Sequence, residues 1–399
     1  MSNTDRFDTV VVGGGPAGAT AADDLAQAGH RVLLLDRAGR IKPCGGAIPP
    51  RAMRDFDIPD SLLVAHANLA RAIAPSGREV DMPIEGGFVG MVDREEFDEW
   101  LRERARHSGA ERRAGSFVAV ERDPDGTAVI VYQPKGTSGE AAQERVRTRA
   151  VIGADGARSK VAEQCIKGSE LGKSVFAYHE IIKAPADGTH GYTGTRCDII
   201  YEGALSPDFY AWIFPHGDTA SIGVGSANKG FSLRGAIREL RERTGLDACE
   251  TVRTEGAPIP LKPLPRWDNG RDVILAGDAA GVVAPASGEG IYYAMTGGRI
   301  AADAVQELLD TSNAKALARA RKTYMKAHGR VFWILGIMQH FWYRSDKRRE
   351  RFVAICDDKD VQRLTWQAYM NKELVKADHA AHARIFFKDL GHLFGMAKT

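Results

Sequence analysis

A glycine-rich loop held between a buried strand and a helix constrains this chain most. The apolar residues of the stretch Phe7 to Val12 run without alternation, as in a strand buried on both faces of a parallel sheet. The loop Gly13-Gly14-Gly15-Pro16-Ala17-Gly18 follows, and a helical pattern runs from Pro16 to Ala28. A second buried strand, Arg31 to Leu35, ends at Asp36. This is a βαβ start with G-x-G-x-x-G in its proper place. Gly13 permits the tight turn, Gly15 lets the backbone approach a pyrophosphate, and Gly18 lets the helix pack closely on the sheet. The helix N-terminus, with Ala17 in its first turn, offers N–H groups and a positive dipole end to phosphate. Asp36 can accept hydrogen bonds from ribose hydroxyls, with Arg37 beside it as a further contact.

The loop alone does not separate FAD from NAD. Two later segments do. In Val151-Ile152-Gly153-Ala154-Asp155-Gly156-Ala157-Arg158-Ser159 a short apolar strand ends in Asp155-Gly156. In Asp272-Val273-Ile274-Leu275-Ala276-Gly277-Asp278 another ends in Gly277-Asp278. The second runs into Ser287-Gly288-Glu289-Gly290 and a helical pattern from Ile291 to about Leu309. A carboxylate at the C-terminal end of a strand, facing a nucleotide crevice, can bind a ribityl hydroxyl. The helix start at Gly288, Gly290 and Ile291 can hold phosphate or the flavin pyrimidine edge. Either segment alone reads equally as a capped turn. Three such segments in this order point to FAD.

Composition narrows the remaining classes. The chain has 399 residues, room for two or three domains of core, with 44% hydrophobic and 27% charged residues. A formal charge of +2 gives no global drive toward nucleic acid or an anionic surface. The five cysteines, Cys44, Cys165, Cys197, Cys249 and Cys356, form no C-x-x-C pair. That argues against a metal site or a disulfide framework and for a reducing compartment. The polar start Met-Ser-Asn-Thr-Asp-Arg lacks a signal-peptide apolar region. No apolar run reaches the roughly 18 residues needed to span a bilayer. The expectation is a cytoplasmic protein, peripheral to a membrane.

With these motifs the chain resembles the FAD-dependent hydroxylase and oxidoreductase superfamily typified by aromatic-ring hydroxylases. Val92-Asp93-Arg94-Glu95-Glu96-Phe97-Asp98-Glu99-Trp100-Leu101 is similar to that superfamily's arginine-bearing helix start. The resemblance implies that Arg94 touches the cofactor; a surface arginine on an amphipathic helix is the plainer reading. Within the superfamily, Arg40-Ile41-Lys42-Pro43-Cys44-Gly45-Gly46-Ala47-Ile48 is similar to the P-C-G-G loop of geranylgeranyl reductases. Phe209-Tyr210-Ala211-Trp212-Ile213-Phe214-Pro215 resembles their Y-x-W-x-F-P strand, and Ser221-Ile222-Gly223-Val224-Gly225 is the returning strand. Val283-Ala284-Pro285-Ala286-Ser287-Gly288-Glu289-Gly290-Ile291 resembles their P-x-x-G-x-G-I stretch. The Cys44 loop and the aromatic C-terminal third point to the branch acting on chlorophyll and bacteriochlorophyll. The resemblance implies saturation of the C=C bonds of a geranylgeranyl group to a phytyl group, on a pigment or on the free diphosphate. It implies FAD contacts at Cys44, Gly45, Gly46 and Ala47. It also implies NADPH as reductant, bound near Asp155-Gly156 and Arg158; a ferredoxin is the alternative donor. No second βαβ glycine motif marks a nicotinamide site.

The expected architecture is α/β: a Rossmann-like FAD-binding domain, an inserted antiparallel β-sheet substrate domain and a C-terminal helical region. The FAD domain takes residues 1–68, 91–173 and 266–310. The sheet domain takes 69–90 and 174–265, a wall over the flavin ring. The helical region takes 311–399. Strands are expected at Val175 to Lys183, Cys197 to Glu202, Phe209 to Phe214, Ala220 to Gly225 and Thr251 to Ile259, with a helix at Leu233 to Arg243. Residues Lys135 to Gln143 read as an exposed hairpin loop. The stretch Val331 to Tyr343 is apolar nearly all round and precedes Arg344, Lys347, Arg348, Arg349 and Arg351. It reads as a buried helix, a prenyl entrance or a membrane-interface contact through 331–351.

Alternation places Tyr210, Trp212 and Phe214 on one strand face. They are candidates for easing positive charge on an alkene carbon as hydride and proton add, or they are core of the wall. Cys44 is a candidate for positioning substrate or delivering a proton; a small buried thiol without chemistry is the alternative. Tyr292 and Tyr293 are weaker acid candidates, and His179 and His216 read as structural. Two other functions share this fold expectation. An aromatic-type monooxygenase would consume oxygen with NADPH. A non-catalytic prenyl carrier would purify without yellow cofactor.

Overall fold

The structure, a computed structural model, describes residues 5–39 and 41–372. The polar N-terminal tetrapeptide, Arg40 of the Cys44 loop and the end of the expected helical region, 373–399, lie outside the described residues. The chain divides into two compact units. Among the described residues, one comprises 5–42, 94–174 and 258–332; the other comprises 43–93, 175–257 and 333–372.

The first unit is built on a six-stranded sheet. Strands Glu111–Arg122, Val32–Asp36, Arg6–Val12, Glu144–Gly153 and Val273–Leu275 lie side by side in that order and pair in parallel. Their central apolar runs are buried on both faces: Val10, Val11, Leu33, Leu34, Val151 and Ile152 are at most 1% exposed. Strand Ala128–Pro134 runs antiparallel and joins 115–122 to 144–148. Between it and Glu144–Gly153 lies the expected hairpin loop. Helix Pro16–Gln27 carries proline in its first turn, where the missing N–H costs nothing, and ends before Gly29 at φ +86°. It packs on helix Ile291–Thr311 through Ala17, Ala21, Ala22 and Leu25 against Ala294, Ala301, Val305 and Leu308. The approach is close enough that a Cβ on Gly298 would stand 2.2 Å from the Ala17 carbonyl oxygen.

Parallel pairing fixes where the motifs emerge. In the register Val12 lies beside Leu35 on one side and Gly153 on the other, and Gly153 beside Leu275. The glycine loop, Asp36, Asp155 and Asp278 therefore all leave the same edge of the sheet, at the strands' C-terminal ends.

The second unit holds a seven-stranded sheet in the order Thr251–Pro260, Ser174–Lys183, Thr219–Ser226, Ala211–His216, Arg196–Ile200, Leu69–Ile73, Glu79–Pro83. From Ser174–Lys183 to Glu79–Pro83, neighbouring strands pair antiparallel except Arg196–Ile200 and Leu69–Ile73, which run parallel. One face packs on helix Leu233–Arg243, which is N-capped by Ser232: Ile182, Ala211, Ile213, Ala220, Ile222 and Val224 meet Ala236, Ile237 and Leu240. A three-stranded sheet of Ala47–Ile48, Val89–Val92 and Leu63–Ala67 belongs to the same unit.

The unit boundaries differ from those expected. Residues 43–68 go with the second unit because Ala47–Ile48 and Leu63–Ala67 both pair with Val89–Val92. The C-terminal helices form no third unit: helix Lys315–Trp342 is assigned to the first unit up to Phe332 and to the second from Trp333. Among the described residues no helix is long and apolar enough to cross a membrane.

Candidate functional site

In the first unit each motif glycine has its own reason. Gly13 has φ +106°, and its Cβ would lie 2.3 Å from the Ala154 carbonyl oxygen. A Cβ on Gly18 would lie 1.9 Å from the Gly13 carbonyl oxygen. Both are glycine because the fold leaves no room. Gly15 differs. Its φ of −77° suits any residue, and a Cβ there meets nothing within 4 Å. Gly15 also starts helix Pro16–Gln27 with no side-chain cap. Nothing in the chain requires glycine at this point, whereas a phosphate approaching the helix N-terminus does. The cradle fits the pyrophosphate of FAD.

The acidic motifs are already engaged. Asp36 accepts from the N–H groups of Gly14 (3.2 Å) and Ala38 (3.3 Å). Arg102 stands 3.7 Å from the Asp36 carboxylate and donates to the Gly14 carbonyl oxygen at 3.2 Å, a contact absent from the sequence reading. Arg37 is exposed. Asp155 accepts from the Ser159 hydroxyl (2.5 Å) and the N–H groups of Lys160 (2.7 Å) and Val161 (3.2 Å). It thereby helps to cap helix Lys160–Cys165, the plainer of its two readings. Burial raises the Asp155 carboxyl above its usual range, against these hydrogen bonds. Gly156 takes φ +89° at the turn. Asp278 pairs with Lys42 at 2.5 Å, while Gly277 and Gly288 hold positive φ and Gly290 caps the helix that begins at buried Ile291. Arg94, expected at the cofactor, makes a two-pronged buried pair with Asp98 at 2.7 and 2.8 Å. Tyr292 and Tyr293 are buried on the last helix of this group, and Tyr293 packs edge-on to His328 and Phe332.

The remaining site candidates lie in the second unit and meet one another there. The Cys44 loop folds onto strand Ala211–His216. A Cβ on Gly45 would stand 3.0 Å from the Phe214 ring, and one on Gly46 would stand 2.6 Å from His216 Nε2. These glycines are thus explained by packing within this unit. The Gly46 N–H points at Cys44 Sγ at 3.4 Å, and Ala47 begins the small sheet. An aromatic row runs beside the loop. Ring centroids are 6.2 Å apart for Tyr201 and Tyr210, 5.9 Å for Tyr210 and Trp212, and 6.1 Å for Trp212 and Phe214. Burial, followed by the nearby Tyr343 hydroxyl and Cys44 thiol, pushes the Tyr210 phenol well above its ordinary range, so it stays protonated. Phe214 also packs with Ala65, Ala67 and Met91 of the small sheet.

His179 and His216, read from the sequence as structural, both stand on this face. His179 bonds Ser221 (3.0 Å) and Glu255 (2.9 Å), and the Trp212 indole N–H donates to the Ser221 hydroxyl oxygen (3.1 Å). Pairing of residues far apart in sequence creates this group, and no local motif announces it.

The basic cluster after the apolar helix is smaller than expected. Arg349 is 2% exposed. It donates to the carbonyls of Ser206, Pro207 and Tyr343 and pairs with Asp346. Arg344 and Lys347 are exposed, and Arg348 stacks over Phe341. The apolar stretch itself exposes Trp333 (67%) and Ile337 (48%).

The fold and the phosphate cradle define a flavoprotein of mixed α/β architecture. A family profile described as "FAD binding domain" matches residues 6–181, and one described as "Lycopene cyclase protein" matches 230–390. A solved structure of a geranylgeranyl bacteriochlorophyll reductase-like protein from Thermoplasma acidophilum shares the fold, with TM-score 0.78 and 21% identity, covering 94% of this chain and 99% of that one. The chain is 57% identical to geranylgeranyl diphosphate reductase of Rhodobacter capsulatus over 98% of both chains. It is 35% identical to the chloroplastic geranylgeranyl diphosphate reductase of Oryza sativa subsp. japonica, over 97% of this chain and 86% of that one. The chain belongs to the geranylgeranyl reductase family.

Proposed function

We propose that this protein is an FAD-dependent reductase that saturates C=C bonds of a geranylgeranyl group to give a phytyl group for chlorophyll or bacteriochlorophyll. Gly13, Gly15, Ala17 and Gly18 hold the pyrophosphate, and Asp36 with Arg37 holds the adenosine ribose. Arg94, Asp155, Gly156, Gly277, Asp278, Gly288, Gly290 and Ile291 complete the cofactor contacts. When bound, the flavin supplies hydride.

The chain's own residues are left with three tasks. The prenyl chain must be held away from water, which the aromatic row Tyr210, Trp212 and Phe214 does. Positive character on an alkene carbon must be eased, which the faces of the same rings do through their quadrupoles. A proton must reach the other carbon, and Cys44 is the donor, with the protonated Tyr210 phenol close behind it. The observation that carries this reading is the packing of the Cys44 loop on Phe214 and His216. It gathers the thiol and the aromatic row in one unit of the fold.

NADPH is the reductant. Trp333 and Ile337, with Arg344 and Lys347, make a peripheral contact with the photosynthetic membrane that carries the pigment. The test is anaerobic incubation of FAD-loaded protein with NADPH and either geranylgeranyl diphosphate or the geranylgeranylated pigment, read by mass spectrometry. A gain of one H₂ per alkene is expected. An oxygen-dependent gain of one oxygen atom would overturn the reading.

A further inference from the structure

We propose that His179 is a positioning residue that sets the orientation of the Trp212 indole, acting through Ser221 and anchored by Glu255; this rests on reading Trp212 as part of the prenyl-binding face. The sheet register brings the group together. Trp212 pairs with Gly223, and Gly223 pairs with His179 on the next strand. Residues directly paired share a face, as do residues two apart on one strand, so Trp212, Gly223, Ser221 and His179 all stand on the same side. The opposite side is the hydrophobic core against helix Leu233–Arg243.

Gly223 leaves a gap in that face, and the indole lies across it. A Cβ on Gly223 would stand 2.0 Å from Cζ2 of Trp212. A smooth glycine floor does not by itself choose which edge of the indole points along the sheet. The polar chain does. An indole N–H only donates. Ser221 Oγ therefore accepts from Trp212 (3.1 Å) and turns its own proton to His179 Nδ1 (3.0 Å). A carboxylate only accepts, so His179 Nε2 donates to Glu255 (2.9 Å). Arg253 donates to the other Glu255 oxygen at 2.9 Å and stands 3.5 Å from Asp93. The donors of Trp212, Ser221 and His179 thus each have an acceptor.

Stability alone does not account for this arrangement. Trp212, Ser221 and His179 are 6%, 0% and 3% exposed. Phe at 212 with apolar side chains at 179, 221 and 255 would fill the space without desolvating a row of polar groups, and replacing every partner of such a row is often neutral or stabilising. A satisfied polar row instead selects a single ring orientation.

Two substitutions at one position separate the two ends of the imidazole. His179→Asn puts an amide oxygen near the Nδ1 position and keeps the acceptor for Ser221. His179→Gln puts its amide near the Nε2 position, reaches Glu255 and leaves Ser221 without its acceptor. The assay uses FAD-loaded protein, excess dithionite as electron source and geranylgeranyl diphosphate, with flavin content and melting temperature measured alongside. His179→Gln is expected to lower kcat by about fivefold to tenfold, the worth of one buried hydrogen bond, with KM unchanged within about twofold. His179→Asn is expected to recover most of kcat. If His179→Gln does not yield folded holoenzyme, Ser221→Ala, which removes one oxygen, is held to the same drop. Trp212→Phe is the reference. If it lowers kcat while Asn and Gln at 179 behave alike, the positioning role is overturned and the prenyl face stands. If it leaves kcat unchanged, the prenyl face falls and the positioning role falls with it.

Discussion

Gly223 is the floor beneath Trp212: a Cβ built on the glycine would lie 2.0 Å from Cζ2 and 2.3 Å from Cε2 of the indole. The two residues are paired across neighbouring antiparallel strands. Any side chain at 223 must lift the ring. Gly223→Ala is expected to destabilise the fold by about 1–3 kcal/mol, the usual range for overpacking a dense interior. It should also lower turnover more than it lowers flavin content, because the cofactor motifs lie in the other unit. Thermal melts, flavin absorbance and anaerobic turnover of one preparation test this. Turnover that falls only in step with bound flavin would count against it.

Two glycines of the phosphate loop should fail in opposite ways. Gly18→Ala drives a methyl to within 1.9 Å of the Gly13 carbonyl oxygen. The loop or the helix must move, and a loss of about 3 kcal/mol or more is expected. Gly15→Ala meets no protein atom within 4 Å. It should cost the apoprotein about 1 kcal/mol or less, as a poorer N-cap residue, and still abolish FAD binding. Melting of the apo forms and titration with FAD separate the two. A Gly15→Ala protein that binds FAD normally would remove the phosphate from this position.

These contrasts show which parts of the molecule were legible. The parallel strands were, because burial on both faces leaves an unbroken apolar run such as Val10-Val11-Val12 or Val32-Leu33-Leu34-Leu35. The shared side of Trp212 and Phe214 was legible too, because strand alternation is a local rule. Strand Glu111–Arg122 drew no reading, and it is charged at both ends. Its arginines are satisfied by residues remote in sequence: Arg112 by Glu99, Arg113 by Asp5, Arg122 by Asp272. Asp155 illustrates a different limit. A carboxylate that caps a helix and one that binds a ribityl hydroxyl present the same local sequence. The row Trp212, Ser221, His179 and Glu255 was illegible for a third reason: its members lie on four strands, and register alone brings them together.

His216 gives the fold an acid-sensitive point. Burial pulls its imidazole from the ordinary 6.5 down to about 4, against the hydrogen bond with the Phe214 carbonyl and the charge of Asp93; His179 and Arg253 act in the same direction as burial. The folded state therefore prefers the neutral ring. Between about pH 6.5 and pH 4 the unfolded chain takes up a proton that the folded chain refuses. The stabilisation is present above the upper value and is lost as pH falls through the lower one. At about 1.4 kcal/mol per pKa unit the loss is on the order of 3 kcal/mol. Denaturant melts of wild type and His216→Asn across this range should give a steeper acid loss for wild type. Parallel curves would show that other groups control the acid limb.

The last prediction concerns the exposed end of helix Lys315–Trp342. Trp333 is 67% exposed and Ile337 48% exposed, one helical turn apart. Exposed His340 continues the same stripe, and Arg344 and Lys347 are exposed just beyond the helix. Large apolar side chains flanked by cations suit the headgroup layer of an anionic bilayer, where the rings enter the interface and the cations meet lipid phosphate. Burying what remains exposed of these two side chains is worth about 1–2 kcal/mol each. The wild-type protein is expected to sediment with phosphatidylcholine vesicles doped with phosphatidylglycerol, less so as salt rises. The double variant Trp333→Ser, Ile337→Ser should bind about tenfold more weakly or worse, with its flavin content and its turnover of geranylgeranyl diphosphate intact. Equal sedimentation of variant and wild type would place the membrane contact elsewhere, and no sedimentation of wild type at any vesicle composition would remove it.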